Sequence, residues 1–274
     1  MPNVILVVLW RPEAADTLLR AGERLAELSG GGAVGALAVQ PPPTFEIYMA
    51  DGNIPEEVLA RMRADGRERI ARLRAAFERW AAEARAAPFP AHWAFLEANP
   101  LDPVRDRGSR ADFVVISRPS AGHGWAERQA FETALFRTER PLLVVPPDHP
   151  AAATFGRRVG IAWRDDGRAA KAVLPALRCL AGAERVALLC GVRGGAAPPA
   201  VPAILREHEV QVEQHVLPIG PGPFGQALLA AAHAFGADLL VMGAYAHSPL
   251  REMILGGVTR WMLAHADLPL LMRH

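Results

Sequence analysis

Short apolar runs alternate with amphipathic segments along most of the chain. The run 159–163 is apolar without a break, which is typical of a strand covered on both faces of a sheet. The segment 168–181 instead carries its apolar residues at helical spacing. The same reading predicts strands at 4–9, 34–39, 92–96, 113–116, 142–145, 185–190, 210–216, 239–242 and 268–272. It predicts further helices at 17–28, 55–86, 129–137, 199–207, 223–235 and 257–265. This alternation predicts an α/β fold with a parallel sheet between helical layers.

The series of elements occurs twice. Residues 111–117 match 237–243 with an offset of 126 (237 − 111), and residues 140–145 match 268–272. Residues 7–11 resemble 160–164 with an offset of 153 (160 − 7). The difference places roughly 27 extra residues inside the first copy. The repeat predicts two tandem domains, 1–147 and 156–274, joined by a proline-rich linker at 146–150.

The extra residues of the first copy lie at 41–87, and most of them form the long helix predicted at 55–86. An apolar stripe at helical spacing predicts that one face of this helix is buried. The stripe consists of Val58, Met62, Ile70, Leu73, Phe77 and Trp80. Further on, the two prolines of Asn99-Pro100-Leu101-Asp102-Pro103 predict a helix of no more than one turn.

Composition narrows the class of protein. A length of 274 residues favours two domains, and 51% hydrophobic with 22% charged residues is typical of a soluble globular chain. A net charge of +1 gives no broad attraction to nucleic acid or to an anionic membrane, so neither is expected as a partner. Residues 1–10 show no basic leader or cleavage site, and the apolar stretch 225–246 divides into a helix and a strand. We therefore expect a cytoplasmic protein.

A candidate anion site follows the apolar run 237–243. The pattern there is Gly243-x2-Ala246-x9-Gly256-Gly257. A strand, a turn of small residues and glycines that open a helix surround a phosphate-sized space with backbone N–H groups. The spacing resembles the nucleotide-binding signature of the universal stress protein family, Gly-x2-Gly-x9-Gly-(Ser/Thr). The segment Trp163-Arg164-Asp165-Asp166-Gly167-Arg168-Ala169-Ala170 resembles the first strand-to-helix junction of that family.

The resemblance covers nearly the whole chain, in two copies, and it implies a fold and a ligand. The implied fold is a pair of Usp-like (adenine nucleotide alpha hydrolase-like) domains, each with a five-stranded parallel sheet of order 3-2-1-4-5 and helices on both faces. In this family, domains pair through the last strand, which implies an intramolecular pseudo-dimer; a homodimer of the whole chain stays open. The implied role is that of a stress-response regulatory or binding protein, with ATP or another adenine nucleotide as ligand.

The implied site lies in the second copy. Phosphates are expected near Gly243, Ala246, Gly256 and Gly257, and the base beside Ala162, Trp163 and Arg164; His247, Ser248, Val258 and Thr259 complete the set. Three positions depart from the family pattern. Ala246 replaces a glycine, Gly257 replaces the Ser/Thr, and Arg164 stands where the family has Asp or Asn. Ser248 and Thr259 are the nearby hydroxyls that can replace the missing one.

The first copy has lost this signature, because no glycine pair opens its last helix; Arg118 and His123 remain as residues able to meet an anion. No metal is predicted, since His247 and His265 lack a third ligand at useful spacing. No catalytic residue is predicted either, since no base is placed beside a metal-ligand set. Two other functions stay open: a scaffold that binds no nucleotide, and a slow ATP hydrolase.

Overall fold

Strands and helices alternate along the whole chain. The computed structural model describes residues 3–43, 45, 55–84, 90–118, 120, 122, 124–147, 149, 154–164, 168–194, 196–244 and 257–274. The first half contains β1 (Asn3–Leu9), α1 (Pro12–Leu28), β2 (Gly32–Gln40), α2 (Glu56–Ala84), β3 (Ala91–Glu97), α3 (Leu101–Gly108), β4 (Phe113–Ser117), α4 (Trp125–Phe136) and β5 (Leu142–Val145). The second half contains β6 (Arg158–Trp163), α5 (Arg168–Leu180), β7 (Arg185–Val192), α6 (Ala203–Glu207), β8 (Glu213–Pro218), α7 (Phe224–Phe235), β9 (Leu239–Gly243), α8 (Gly257–His265) and β10 (Leu270–Arg273).

The ten strands form one sheet, in the order β3-β2-β1-β4-β5-β10-β9-β6-β7-β8. Within each half the five strands are parallel and follow the predicted order 3-2-1-4-5. Apolar side chains of α1, α2 and α5 cover one face of the sheet, and those of α4, α7 and α8 cover the other. The α/β class and the predicted sheet order are therefore confirmed, while the domain boundaries 1–147 and 156–274 stay predictions. None of the described helices has the length and apolar character that a membrane span needs.

The two halves meet at their last strands, as expected. β5 and β10 are antiparallel, with Leu143 opposite Leu271. These two leucines hold equivalent positions, because each comes two residues after the proline of its matched terminus, Pro141 or Pro269. Pairing of equivalent residues in antiparallel strands is the arrangement that a local twofold axis produces. The sheet thus continues from one half into the other.

Strand register corrects the sequence match at the start of each half. Leu6 pairs with Val114, and Gly160 pairs with Leu240. Since 114 and 240 are equivalent by the offset of 126, residue 6 corresponds to residue 160, which is an offset of 154 (160 − 6). The offset of 153 was wrong by one residue because it aligned the two Trp-Arg pairs, which do not hold equivalent places in the sheet. Trp10 therefore corresponds to Arg164.

The long helix α2 forms the crossover between β2 and β3, where the second half has only the five residues of α6. Leu73, Phe77 and Trp80 are buried, and the Trp80 indole Nε1–H donates to Glu23 of α1 (3.1 Å). The stripe ends toward the start of the helix, where Val58 is 44% exposed. The prediction of one buried face is thus confirmed for the second half of α2 and wrong for its first turn.

Several helix and strand limits differ from those predicted. α1 begins at Pro12 instead of residue 17, because proline suits the first position of a helix. α3 has eight residues instead of one turn, since Pro103 falls within the first turn, where no N–H partner is lost. α4 begins at Trp125, four residues before the predicted start. β8 begins at residue 213 and not at 210, because the Val210 N–H donates to the Leu205 carbonyl and closes α6.

Candidate functional site

The carboxyl ends of β6 and β9 lie side by side. Ala162 is opposite Met242, which places Trp163 and Gly243 at the same edge of the sheet. From β6 the chain continues to β7 on one side, whereas β9 lies on the other side. The strand order therefore reverses between β6 and β9, and open α/β sheets bind ligands in the crevice at such a point.

Side chains alternate between the two faces at the end of β6. Ala162 packs against the same apolar cluster as Val258 of α8, on the face covered by α7 and α8. Trp163 packs into the opposite cluster with residues of α5; its ring is buried, and its Nε1–H has no hydrogen-bond partner within the described residues. Arg164 is exposed at the edge of the sheet and also interacts with another group of the chain. Ala162, and not Trp163, thus faces the same side as the start of α8.

Helix α8 begins at Gly257, as predicted. A Cβ at this position would meet no atom of the described residues within 4 Å. Thr259 is buried and interacts with another group of the chain. The remaining predicted positions, Ala246, His247, Ser248 and Gly256, lie outside the described residues, and their part in the site stays a prediction.

The first half contains a cavity at the equivalent place in the fold. A cavity of about 10 Å³ lies where β1, β4 and α4 converge. Its lining comprises Val8, Trp10, Ile116, Ser117, Glu127, Ala130 and Phe131. Ser117 corresponds to Gly243, because their partners in the neighbouring strands, Val145 and Arg273, are equivalent. The Ser117 Oγ is buried and has no hydrogen-bond partner in the part of the chain described.

An ion pair borders this cavity. The Arg11 Nε–H donates to both carboxylate oxygens of Glu127 (3.1 Å each), and Arg11 Nη2 lies 3.0 Å from Oε2. Nη2 also donates to the Gly122 carbonyl (2.8 Å). Burial raises the pKa of the Glu127 carboxyl, and the charge and hydrogen bonds of Arg11 oppose that shift. The sequence analysis missed this pair; the available signal was an arginine directly after β1 together with an acid in the first turn of α4.

Arg69 of α2 fills the crevice between the carboxyl ends of β1 and β2. Its guanidinium carbon lies 4.9 Å from the centre of the Trp10 ring. It donates to the carbonyls of Trp10 (2.8 Å) and Val39 (2.7 Å) and to the side-chain oxygen of Gln40 (3.0 Å). Gly66 allows this approach, because a Cβ there would lie 2.8 Å from the Gln40 amide. Helix α2 therefore places a cation at the carboxyl ends of β1 and β2 and stacks it on Trp10, which lines the cavity between β1 and β4.

Two other polar residues have roles that the sequence did not predict. Arg118, expected to meet an anion, donates to the Ala264 carbonyl (2.6 Å) at the end of α8, where helix carbonyls carry partial negative charge. Contact of Arg118 with an anion stays a prediction, and His123 lies outside the described residues. His265 stacks on Trp261 with ring centres 4.2 Å apart. Among the described residues, no group of three His, Cys, Asp or Glu side chains is arranged to hold a metal ion.

Comparison with known proteins relates the chain to one family. The model of the universal stress protein family matches residues 127–274, which is 148 of 274 residues. The structure is similar to a universal stress protein from Archaeoglobus fulgidus DSM 4304, with a TM-score of 0.69, 16% identity, and coverage of 100% of this chain and 96% of that chain. It is also similar to a functionally unknown protein from Pseudomonas aeruginosa PAO1, with a TM-score of 0.59, 12% identity, and coverage of 99% and 92%. At these identities the likeness shows the fold alone. A search of curated proteins found no match.

Proposed function

The chain belongs to the universal stress protein family, and we propose that it is a stress-response regulatory or binding protein with an adenine-nucleotide site in its second half. One observation carries the proposal. The ends of β6 and β9 are adjacent at the point where the strand order reverses, and α8 opens there with a glycine. The ligand in this proposal is ATP or another adenine nucleotide, and the protein acts in the cytoplasm.

The backbone of the second half supplies the attraction for phosphate. The first N–H groups of a helix have no partner within the helix, and they carry partial positive charge. In the proposed complex, phosphates lie against Gly243 and Gly257, and the base lies beside Ala162 and Arg164. The guanidinium of Arg164 suits either stacking on a planar base or contact with a phosphate.

Two departures from the family pattern weaken binding in this proposal. A Cβ at Ala246 costs about 1 kcal/mol if that position needs positive φ. Gly257 lacks the hydroxyl of Ser or Thr, and a hydrogen bond to a charged group contributes roughly 1.5–3 kcal/mol. A loss of this size corresponds to tenfold weaker binding or more.

Titration calorimetry with ATP tests the proposal. Ala246→Gly combined with Gly257→Ser is expected to tighten ATP binding about tenfold or more, because it removes a Cβ and restores a hydroxyl. The matched control is Gln129→Ser in the first half, since Gln129 occupies the place of Gly257 under the 128-residue offset of the last strand (269 − 141). This control should leave ATP binding unchanged.

The same titration separates the alternatives. If the double variant is folded and neither it nor the natural chain binds ATP, the nucleotide-site proposal is wrong, and a scaffold that acts through its surface becomes the better one. If ATP binds, product analysis after long incubation distinguishes a binding protein from a slow hydrolase. We expect no ADP above the level of a protein-free control, because no base or metal-ligand set is predicted in the site.

A further inference from the structure

In the first half, the carboxylate of Glu127 lies at the place that corresponds to the candidate site of the second half. Glu127 is the third residue of α4, and its carboxylate lies beside the ends of β1 and β4. Under the offset of the last strand, Gly257 of α8 corresponds to Gln129, so Glu127 lies two residues before the place that is equivalent to Gly257. Its carboxylate lies in the position where β1, β4 and the start of α4 converge.

Three groups at this position favour a negative charge. The Arg11 guanidinium approaches the Glu127 oxygens at 3.0–3.1 Å. The start of a twelve-residue helix adds the partial positive charge of its free N–H groups. The Ser117 hydroxyl is buried, and its oxygen has no hydrogen-bond partner among the described residues. It is therefore available to bind a ligand.

The cavity beside Ser117 and Glu127 has room for little beyond a water molecule while the glutamate is in place. The side chain of Glu127 is only 7% exposed, so the carboxylate occupies the position and is not merely near it. Removing the side chain beyond Cβ would enlarge the cavity next to a cation and a free hydroxyl. Arg11 is 33% exposed and also lies 4.0 Å from Glu13; without Glu127 it loses its closest carboxylate and is available to pair with a replacement anion.

From this arrangement we propose that the first half contains an oxyanion site that is occupied by the chain's own Glu127 carboxylate. Its ligand class is a small oxyanion, either a carboxylate or a phosphate, held by Arg11 and Ser117 at the start of α4. The intramolecular ligand keeps this site closed, so the first half does not compete for anions. The inference concerns the first half alone and does not depend on whether the second half binds a nucleotide.

Replacing the internal ligand tests the proposal. The variant Glu127→Ala is titrated with inorganic phosphate by calorimetry, and its melting temperature is measured with increasing phosphate or formate. We expect one site per chain that the natural protein lacks, and a larger rise in melting temperature than in the natural protein, because a ligand of the native state stabilises it. The control Glu132→Ala changes an exposed acid on the same helix and should behave as the natural protein does.

A second substitution locates the gained site. Adding Arg11→Ala to Glu127→Ala should weaken the gained phosphate binding at least tenfold, because the cation is lost. A site in the second half would be present in all the variants and would cancel in this comparison. If Glu127→Ala does not fold, Glu127→Ser also vacates the space of the carboxylate, keeps a polar group at the helix start, and should still gain stabilisation by phosphate. The proposal is overturned if the folded variant gains no phosphate response, or if the response survives the loss of Arg11.

Discussion

Leu73 offers the sharpest test of how the long helix α2 is held on the protein. Its side chain is fully buried, at 0% exposure, in the core beneath α1 and α2. Truncation of a buried leucine to alanine costs about 2–5 kcal/mol, because apolar contacts are lost and a cavity remains. Leu73→Asp should cost at least as much, since it places a carboxylate in the core without a partner.

Thermal unfolding followed by circular dichroism measures this effect. For a cooperative unit of 150–250 residues, each kcal/mol shifts the melting temperature by roughly 2–4 °C. Leu73→Ala should therefore lower the melting temperature of the first half by about 4–20 °C. Val58→Ala, on the exposed part of the same helix, is the matched control and should stay within about 0.5 kcal/mol of the natural chain. A folded Leu73→Asp variant that melts with the natural protein would show that this face is exposed in solution and that the packing described here is wrong.

Three further outcomes are expected. Arg69→Ala should destabilise the first half by about 2–4 kcal/mol in urea unfolding, because a cation–π contact and hydrogen bonds of a charged donor are lost. Arg72→Ala, at an exposed position of the same helix, is the control. Equal losses of stability in the two variants would contradict the reasoning. Arg118→Ala should cost about 1.5–3 kcal/mol in the same measurement, since the carbonyls at the end of α8 lose a charged donor, and an unchanged midpoint would contradict that role. Burial raises the pKa of Cys179 to about 12, so its thiol should stay protonated and fail to react with Ellman's reagent at pH 8 until the protein is denatured.

The helices and strands were largely predictable, because their signal is local. The apolar run at 159–163 and the glycine that opens α8 indicate a strand and a helix start without information from elsewhere in the chain. The repeat of Pro-Leu-Leu termini likewise identified β5 and β10 as equivalent strands, and the family resemblance implied that they pair. Periodicity indicated the buried face of α2 around Leu73, but it did not show that Val58 lies beyond the part that is covered.

The contacts at the carboxyl end of the first-half sheet were decided only by the tertiary structure. Residues 11 and 127 are 116 positions apart, and neither carries a local sign of the other. Arg69 looked like one of several surface arginines on a helix, and only the packing of α2 places it on Trp10. Local patterns could not predict the strand register either, because an apolar strand keeps the same composition when its alignment shifts by one residue. Only the pairing of Leu6 with Val114 and of Gly160 with Leu240 showed that Trp10 corresponds to Arg164. Local patterns therefore determined which elements form, whereas long-range contacts determined that Glu127 lies at the ends of β1 and β4 and Arg69 at the ends of β1 and β2.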